Sequence, residues 1–480
     1  MKKFAGALFA LVVAACAGPS RVAQDAFAPQ SVRADLTALY EGLQRAHYDL
    51  YANTPRASYD ALYAEMLASI DEPMTRVEAQ VLLQRFAAAG DVAHATLGFP
   101  GEAYEAFRAA EGRVFPLGVQ VEAGRLYVSE NPSGVEPIAA GQEIVSIDGE
   151  SAAAWLARLG RNVSADNDYL LHAQLAPQFA ALLWLERGEA DAFRVELRQP
   201  DGASTTVSLP ARSRVEMRAA ATTLPPVLEL DYTQRVARML PGGVAYLRPG
   251  IFLNVESDDL YDAEPFRAFI DASFAQFLDA GAATLLIDLR DNPGGDNTFS
   301  DPMIAWFADK RFRFASAFRI RVSDEATASN ASRIGDTDGD SVSHQLAAAY
   351  ATARNGDVMD FPIAVQEPRA GHRFEGRVFV LINRRSYSNS VLTAAIVQDY
   401  GFGRIIGEPT SDLATTYGAM EHFTLPNTGL RVGFPKAHIV RPSGDARVQG
   451  VTPDILITTP IVQGTDDPVL QEALRIVSQR

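Results

Sequence analysis

The sequence predicts an α/β multidomain chain built from a helical N-terminal cap, a small β module and a larger α/β domain with parallel βαβ units. Three observations predict it. Apolar residues recur at helical spacing through about 31–110, short strand-like runs with tight turns fill about 113–208, and apolar runs buried on both faces alternate with helices through about 227–460. With 480 residues and 47% apolar content, the chain has material for two or three cores.

The first residues read as a leader. Met1-Lys2-Lys3 is a basic start, residues 4–13 are an apolar stretch too short to span a bilayer, and Val13-Ala14-Ala15-Cys16 resembles a bacterial lipoprotein signal with its cleavage site. Residues 1–16 are therefore expected to be a lipoprotein signal peptide, with Cys16 as the lipidated first residue of the mature chain; an ordinary secretory signal cut nearby is the alternative. Residues 17–30, small and polar, read as a tether. The expected product is an exported bacterial lipoprotein, periplasmic and tethered to the outer membrane. Cys16 is the single cysteine, which excludes intrachain disulfides.

Helical faces follow over 31–110: Val32, Leu36, Leu39, Tyr40 and Leu43, then Tyr59, Leu62, Tyr63, Met66 and Ile70, then Val77, Val81, Leu82 and Phe86. Near the end of this cap lies His94, which a helical subdomain could deliver to a distant site. The β module at 113–208 resembles a PDZ-type domain. Its Phe115-Pro116-Leu117-Gly118-Val119 suits a carboxylate-binding loop, 142–149 reads as a strand and tight turn, and a helical insertion occupies about 153–185. Such a module adds a peptide as an edge strand; a groove filled by the protein's own chain is the alternative.

A polar, proline-containing crossover at 210–226 leads into the α/β block of 227–460. There, a helix over 265–280 buries Phe266, Phe269, Ile270, Phe274, Phe277 and Leu278 and stops before Gly281. Buried strands are predicted at 282–287 and 378–382, and a surface insertion at 323–356. After the second strand comes a helix with Val391, Leu392, Ala395 and Ile396 on one face, stopped at Tyr400-Gly401. A C-terminal helix closes the chain within 461–480.

Composition excludes some functions. The formal charge of −16 argues against nucleic acid or an anionic lipid surface as the main partner. Asp336-Thr337-Asp338-Gly339-Asp340 has its glycine misplaced for a calcium loop and reads as solvated, and the histidines lack metal-ligand spacing, so no metal or organic cofactor is implied. Lys436 reads as a surface lysine with its charged head in solvent.

Chemistry concentrates at Ser388. Val378-Phe379-Val380-Leu381-Ile382 is followed by the turn Arg384-Arg385-Ser386-Tyr387-Ser388-Asn389, so the hydroxyl sits where a strand becomes a helix. Unpaired N–H groups and the helix dipole favour a developing negative charge there. About ninety residues earlier, Asp288-Leu289-Arg290-Asp291-Asn292-Pro293-Gly294-Gly295 ends the other buried strand, and its paired glycines can present bare N–H groups to a ligand.

Five motifs in order now carry a family resemblance: Gly90-Asp91-Val92-Ala93-His94, the Asp288-to-Gly295 turn, Ser386-Tyr387-Ser388, Gly407-Glu408-Pro409-Thr410 and Gly450-Val451-Thr452-Pro453-Asp454. With them the chain resembles the serine peptidases that include the C-terminal-processing (tail-specific) enzymes, the tricorn core and the retinoid-binding protein repeats. The stretch from Tyr417-Gly418 to Gly429-Leu430 is similar to the histidine-dependent branch, and the lysine that tail-specific members carry near Leu413 is absent. The resemblance implies a crotonase-like catalytic domain hydrolysing bonds in peptides or unfolded protein. It implies Ser388 as nucleophile, His94 as general base, and the N–H groups of Gly294 or Gly295 and of Asn389 as the oxyanion site. The chain departs from the pattern at Arg447, where histidine-dependent relatives carry a glutamate. Asp445 is the nearest substitute to orient the imidazole, displaced by about 6.6 Å along an extended strand, with Asp91 and Glu421 as further candidates and a backbone carbonyl as the remaining option. The departure also implies an alternative function, a catalytically weak or inactive protein that binds peptides or apolar ligands.

Overall fold

Pro29 opens the first helix, Pro29–Ala46, at the position where its missing N–H is no loss. In the computed structural model, which describes residues 26–136, 138–199, 201–221, 228, 230–334, 342–462, 464 and 466–479, three more helices follow: Arg56–Ser69, Arg76–Ala88 and Gly101–Ala109. The signal peptide, Cys16, most of the tether and the Asp336-to-Asp340 loop lie outside the described residues. Thr75 and Glu78 form a reciprocal capping box at the start of the third helix. That helix buries Ala79, Leu83 and Phe86, whereas Val77 and Val81 line a cleft, and Leu82 both lines it and packs against the core. Among the described residues no helix is long and apolar enough to cross a membrane.

The second unit is an antiparallel sheet with strand order Gly118–Glu122, Arg125–Glu130, Glu143–Ile147, Ala192–Arg198 and Ser204–Pro210. Helices Ala152–Gly160 and Asp168–Arg187 cover it, closing a core of Phe115, Leu126, Ile144, Phe179 and Leu197.

The central sheet is mostly parallel. Its order is Ile455–Leu456, Arg404–Gly407, Arg377–Ile382, Thr284–Asp288, Val244–Arg248 and Val236–Leu240, with only the last strand antiparallel to its neighbour. Alternation divides its residues between two cores. Leu285, Ile287, Val380 and Ile382 face helices Glu264–Asp279, Asn297–Ala305 and Asn389–Tyr400. Leu286, Phe379 and Leu381 face the C-terminal helix Pro468–Val477. Helix Asn389–Tyr400 is buried all round from Asn389 through Val397, in place of the one-sided burial its apolar spacing predicts. Gly401 ends it in the left-handed region at φ +71°.

A third, antiparallel sheet pairs Arg431–Val440 with Thr416–Thr424 on one edge and with Thr96–Leu97 and Ala317–Arg321 on the other. It shares one core with the N-terminal helices. The predicted surface insertion is corrected here: its described helices Asp324–Ala331 and Val342–Thr352 put Ala326, Leu346 and Tyr350 into that core. Lys436 is likewise buried, and its ammonium meets Glu421 at 2.5 Å, because this strand is covered on both faces and leaves no route to solvent.

Candidate active site

Parallel pairing sets Asp288 beside Leu381, so the two strands release their turns side by side at the C-terminal edge of the sheet. The turns are then stitched together. Asp291 N–H donates to Asn383 Oδ1, Asn383 Nδ2 donates to Asp291 Oδ1, Ser386 Oγ donates to Leu289 O, and Tyr387 N–H donates to Asn292 O. Ser386 is thereby consumed as a structural bond, and Ser390 Oγ is buried without a partner in the helix.

Ser388 is left half-buried at the junction with φ +52° and ψ −121°. A non-glycine residue there stores about 1–3 kcal/mol of backbone strain. The surrounding hydrogen bonds hold it: Ser388 N–H donates to Asp412 Oδ2 at 2.5 Å, and its carbonyl accepts from Val391 and Leu392. Gly294, at φ +92°, packs so closely that a Cβ would lie 2.6 Å from Tyr387 O and 2.7 Å from Asn389 N. Its own N–H is spent on Asn292 Oδ1. The N–H groups of Gly295 and Asn389 make no hydrogen bond within the described residues, and they are the donors left for an anion.

His94 arrives from the cap. Asp91 turns the chain at φ +51°, Asn53 Nδ2 donates to Asp91 O, and Thr96–Leu97 pairs with Val432 and Gly433. The imidazole is 4% exposed and stacks on Tyr387, with ring centroids 5.2 Å apart and 23° between planes. Burial pulls its pKa below the ordinary value, opposed by the charge of Asp166, so the ring is neutral near pH 7. Nδ1 is buried with no hydrogen-bond partner, and Ser388 Oγ makes no hydrogen bond to the ring.

Two further carboxyls adjoin it. Asp412 is fully buried, accepts from the N–H groups of Ser388 and Leu413, and is pushed up to about 7 by burial. Asp166 is pushed up to about 7 by burial and then by Asp412. Neither was legible as a site residue. Asp412 lies one position before the place where tail-specific members carry lysine, which is a weak signal, and Asp166 sits in a loop of the helical insertion with no motif around it.

Asp445, expected beside the imidazole, is instead clamped by the Arg447 guanidinium through both oxygens and makes no hydrogen bond or ion pair with His94. Hydrogen bonds from Arg447 hold its carboxyl down at about 2. Glu421 is committed to Arg333, Lys436 and Ser329. Asp91 accepts from Thr54. Among the described residues no group of three or more His, Cys, Asp or Glu could hold a metal ion.

Two clefts reach this region. One of about 410 Å³ runs between strand Gly118–Glu122 and helix Asp168–Arg187 to Arg384 and Arg385, in the turn that leads to Ser388. The other, about 1290 Å³, is lined by Val81, Leu82, Asp91, Asp166 and Leu171.

Residues 259–457, which contain both site turns, match Peptidase family S41. The chain carries an S41 peptidase domain. Members of that family are serine peptidases, and the domain is accordingly a hydrolase. Solved structures extend the likeness in fold. Mature CPAF complexed with lactacystin aligns at TM-score 0.64 and 16% identity, covering 94% of this chain and 98% of that one. Mature CPAF aligns at 0.59 and 16%, covering 89% and 92%. A mutant form of CPAF aligns at 0.62 and 16%, covering 89% and 93%. No curated protein sequence matches the chain.

Proposed function

We propose that this S41 domain hydrolyses peptide bonds through an acyl-enzyme on Ser388, with His94 as general base, acting as an endopeptidase or on carboxy-terminal segments. The observation that carries the reading is the strained Ser388 at a helix N-terminus with the His94 ring stacked on the residue before it. As Oγ bonds to the scissile carbonyl carbon, its proton passes to the neutral imidazole and is later returned to the leaving amine. The tetrahedral oxyanion lies toward the N–H groups of Gly295 and Asn389, donors that together with the helix dipole are each worth about 10²–10³ in rate.

Substrate reaches the site as a peptide or unfolded protein segment. The 410 Å³ cleft beside strand Gly118–Glu122 supports a PDZ-like role for the β module, with a peptide lying along that strand toward Arg384 and Arg385. The lipoprotein signal in the sequence supports an exported, lipid-anchored enzyme held at Cys16. The deciding experiment is labelling with a fluorophosphonate together with casein turnover. Loss of both in Ser388→Ala and in His94→Ala supports the reading, and full labelling of Ser388→Ala overturns it.

A second reading, binding without turnover, draws support from Arg447 in place of the family glutamate and from the missing hydrogen bond between Ser388 and His94. Peptide binding by the unaltered protein with no cleavage and no labelling would favour it.

A further inference from the structure

We propose that Asp166 is the carboxylate that orients the His94 imidazole and offsets the charge the ring gains; the inference rests on the reading of Ser388 and His94 as nucleophile and base. Asp166 is a positioning residue, since it acts on the substrate only through the ring.

Its loop is clamped between the two halves of the site. Ser164 Oγ donates to Ala95 O at 2.5 Å on one side, and Asn167 Nδ2 donates to Ser411 O at 3.1 Å on the other. The residues preceding the three side chains, Ala93, Ala165 and Tyr387, pack with Leu170 in one small apolar cluster. Inside that arrangement His94 Nδ1 is buried without a hydrogen-bond partner, and the buried Asp166 carboxylate oxygens have no side-chain partner, the Ala93 N–H being the backbone donor that acts on them. Isolated buried polar atoms are costly, and a donor and an acceptor left over in the same enclosure complement each other. With Nδ1 buried, Nε2 is the nitrogen available to the serine proton. The neutral tautomer then carries its hydrogen on Nδ1, where a carboxylate acceptor fixes the ring and stabilises the imidazolium.

The other acids are spoken for. Asp445 is held by Arg447, Glu421 by Arg333 and Lys436, and Asp412 by the Ser388 and Leu413 amides. The groups acting on Asp166 are Asp412, His94, the Ala93 N–H and Asp91; Tyr387 and Tyr417 sense its charge, and His47 borders His94. Two neighbouring buried carboxyls do not ionise together readily, and the charge of Asp412 makes Asp166 hold its proton more tightly. Below about pH 7 Asp166 takes up a proton and stops serving the ring. During acylation the proton passes from Oγ to Nε2 and from there to the leaving amine, and Nδ1 retains its own throughout.

The test is Asp166→Asn in the full chain, read as kcat, KM and the pH dependence of fluorophosphonate labelling. The expected result is a fall in kcat of about 10²–10⁴ with KM little changed, and loss of the limb near pH 7 as the acid side moves lower without the counter-charge. Asp166→Asn with unaltered kcat and an unaltered acid limb would sink the proposal, and so would a kcat loss that leaves the limb in place. Should Asp166→Asn not fold, the unaltered chain still decides: labelling that falls through one proton uptake near pH 7 supports it, and a flat rate from about pH 5 to 9 overturns it. Failure of the underlying reading is separable, since then His94→Ala would label at the normal rate.

Discussion

Two buried acidic clusters in this chain have opposite fates. Glu421 sits in the antiparallel sheet with Arg333, Lys436 and Ser329 saturating its oxygens; burial works to raise its pKa, but the Arg333 hydrogen bonds and the Lys436 charge hold it below the usual range. Asp166 and Asp412, beside Ser388 and His94, have no cation paired with them, and burial pushes both up to about 7. Burial thus marks structure in one place and reactivity in the other. The difference lies in pairing with cations: a buried carboxylate held by Arg and Lys is fixed in one protonation state, whereas one without a cation titrates within the working pH range.

Several changes would break or sharpen that contrast. Ser388→Ala should remove labelling altogether and cut kcat by at least about 10³, with melting behaviour near that of the parent, as followed by fluorophosphonate gel and circular dichroism. Glu421→Ala should cost about 3–5 kcal/mol in urea unfolding, because it strands the buried Lys436 ammonium and the Arg333 guanidinium, while the folded fraction keeps its labelling rate. Gly294→Ala puts a Cβ 2.6 Å from Tyr387 O at a positive φ, so acylation should fall by about 10² or more with the chain still folded.

Asp412→Asn reports on the unpaired cluster through stability. A carboxyl whose folded pKa stands near 7 against an ordinary 3.8 binds its proton more tightly folded than unfolded. Its contribution is therefore full at acid pH and lost as pH rises toward 7, so the variant should gain stability relative to the parent at pH 8 and not at pH 4, by at most roughly 4 kcal/mol. Thermal melts at the two pH values check the sign. The smallest effect belongs to Asp445→Ala, which removes the carboxylate partner of the exposed Arg447 and should leave kcat/KM within about twofold.

Much of the scaffold was legible because its signals are local. The buried strands around Leu285 and Val380, the phenylalanine-rich helix, the Gly401 stop and the paired glycines each follow from periodicity or from backbone permissiveness within a few residues. Lys436 and the 323–356 segment depart from what their sequence predicts for the complementary reason. Whether a lysine or a loop-like stretch is buried depends on what covers it: the 323–356 helices share a core with N-terminal helices some three hundred residues away, and Lys436 is enclosed with Glu421, which Ser329 and Arg333 also hold from about a hundred residues earlier.

The sequence by itself determined that two apolar strands would end in a glycine-paired turn and in a serine at the mouth of a helix, since strand period, helix period and glycine's freedom at positive φ are properties of short segments. Only the tertiary structure decided which acid lies near the imidazole. Arg447 captured Asp445, and a loop without a motif carried Asp166 to His94. Pairing of charges and exclusion of water are set by which distant segments share an enclosure, and no spacing along a chain encodes that.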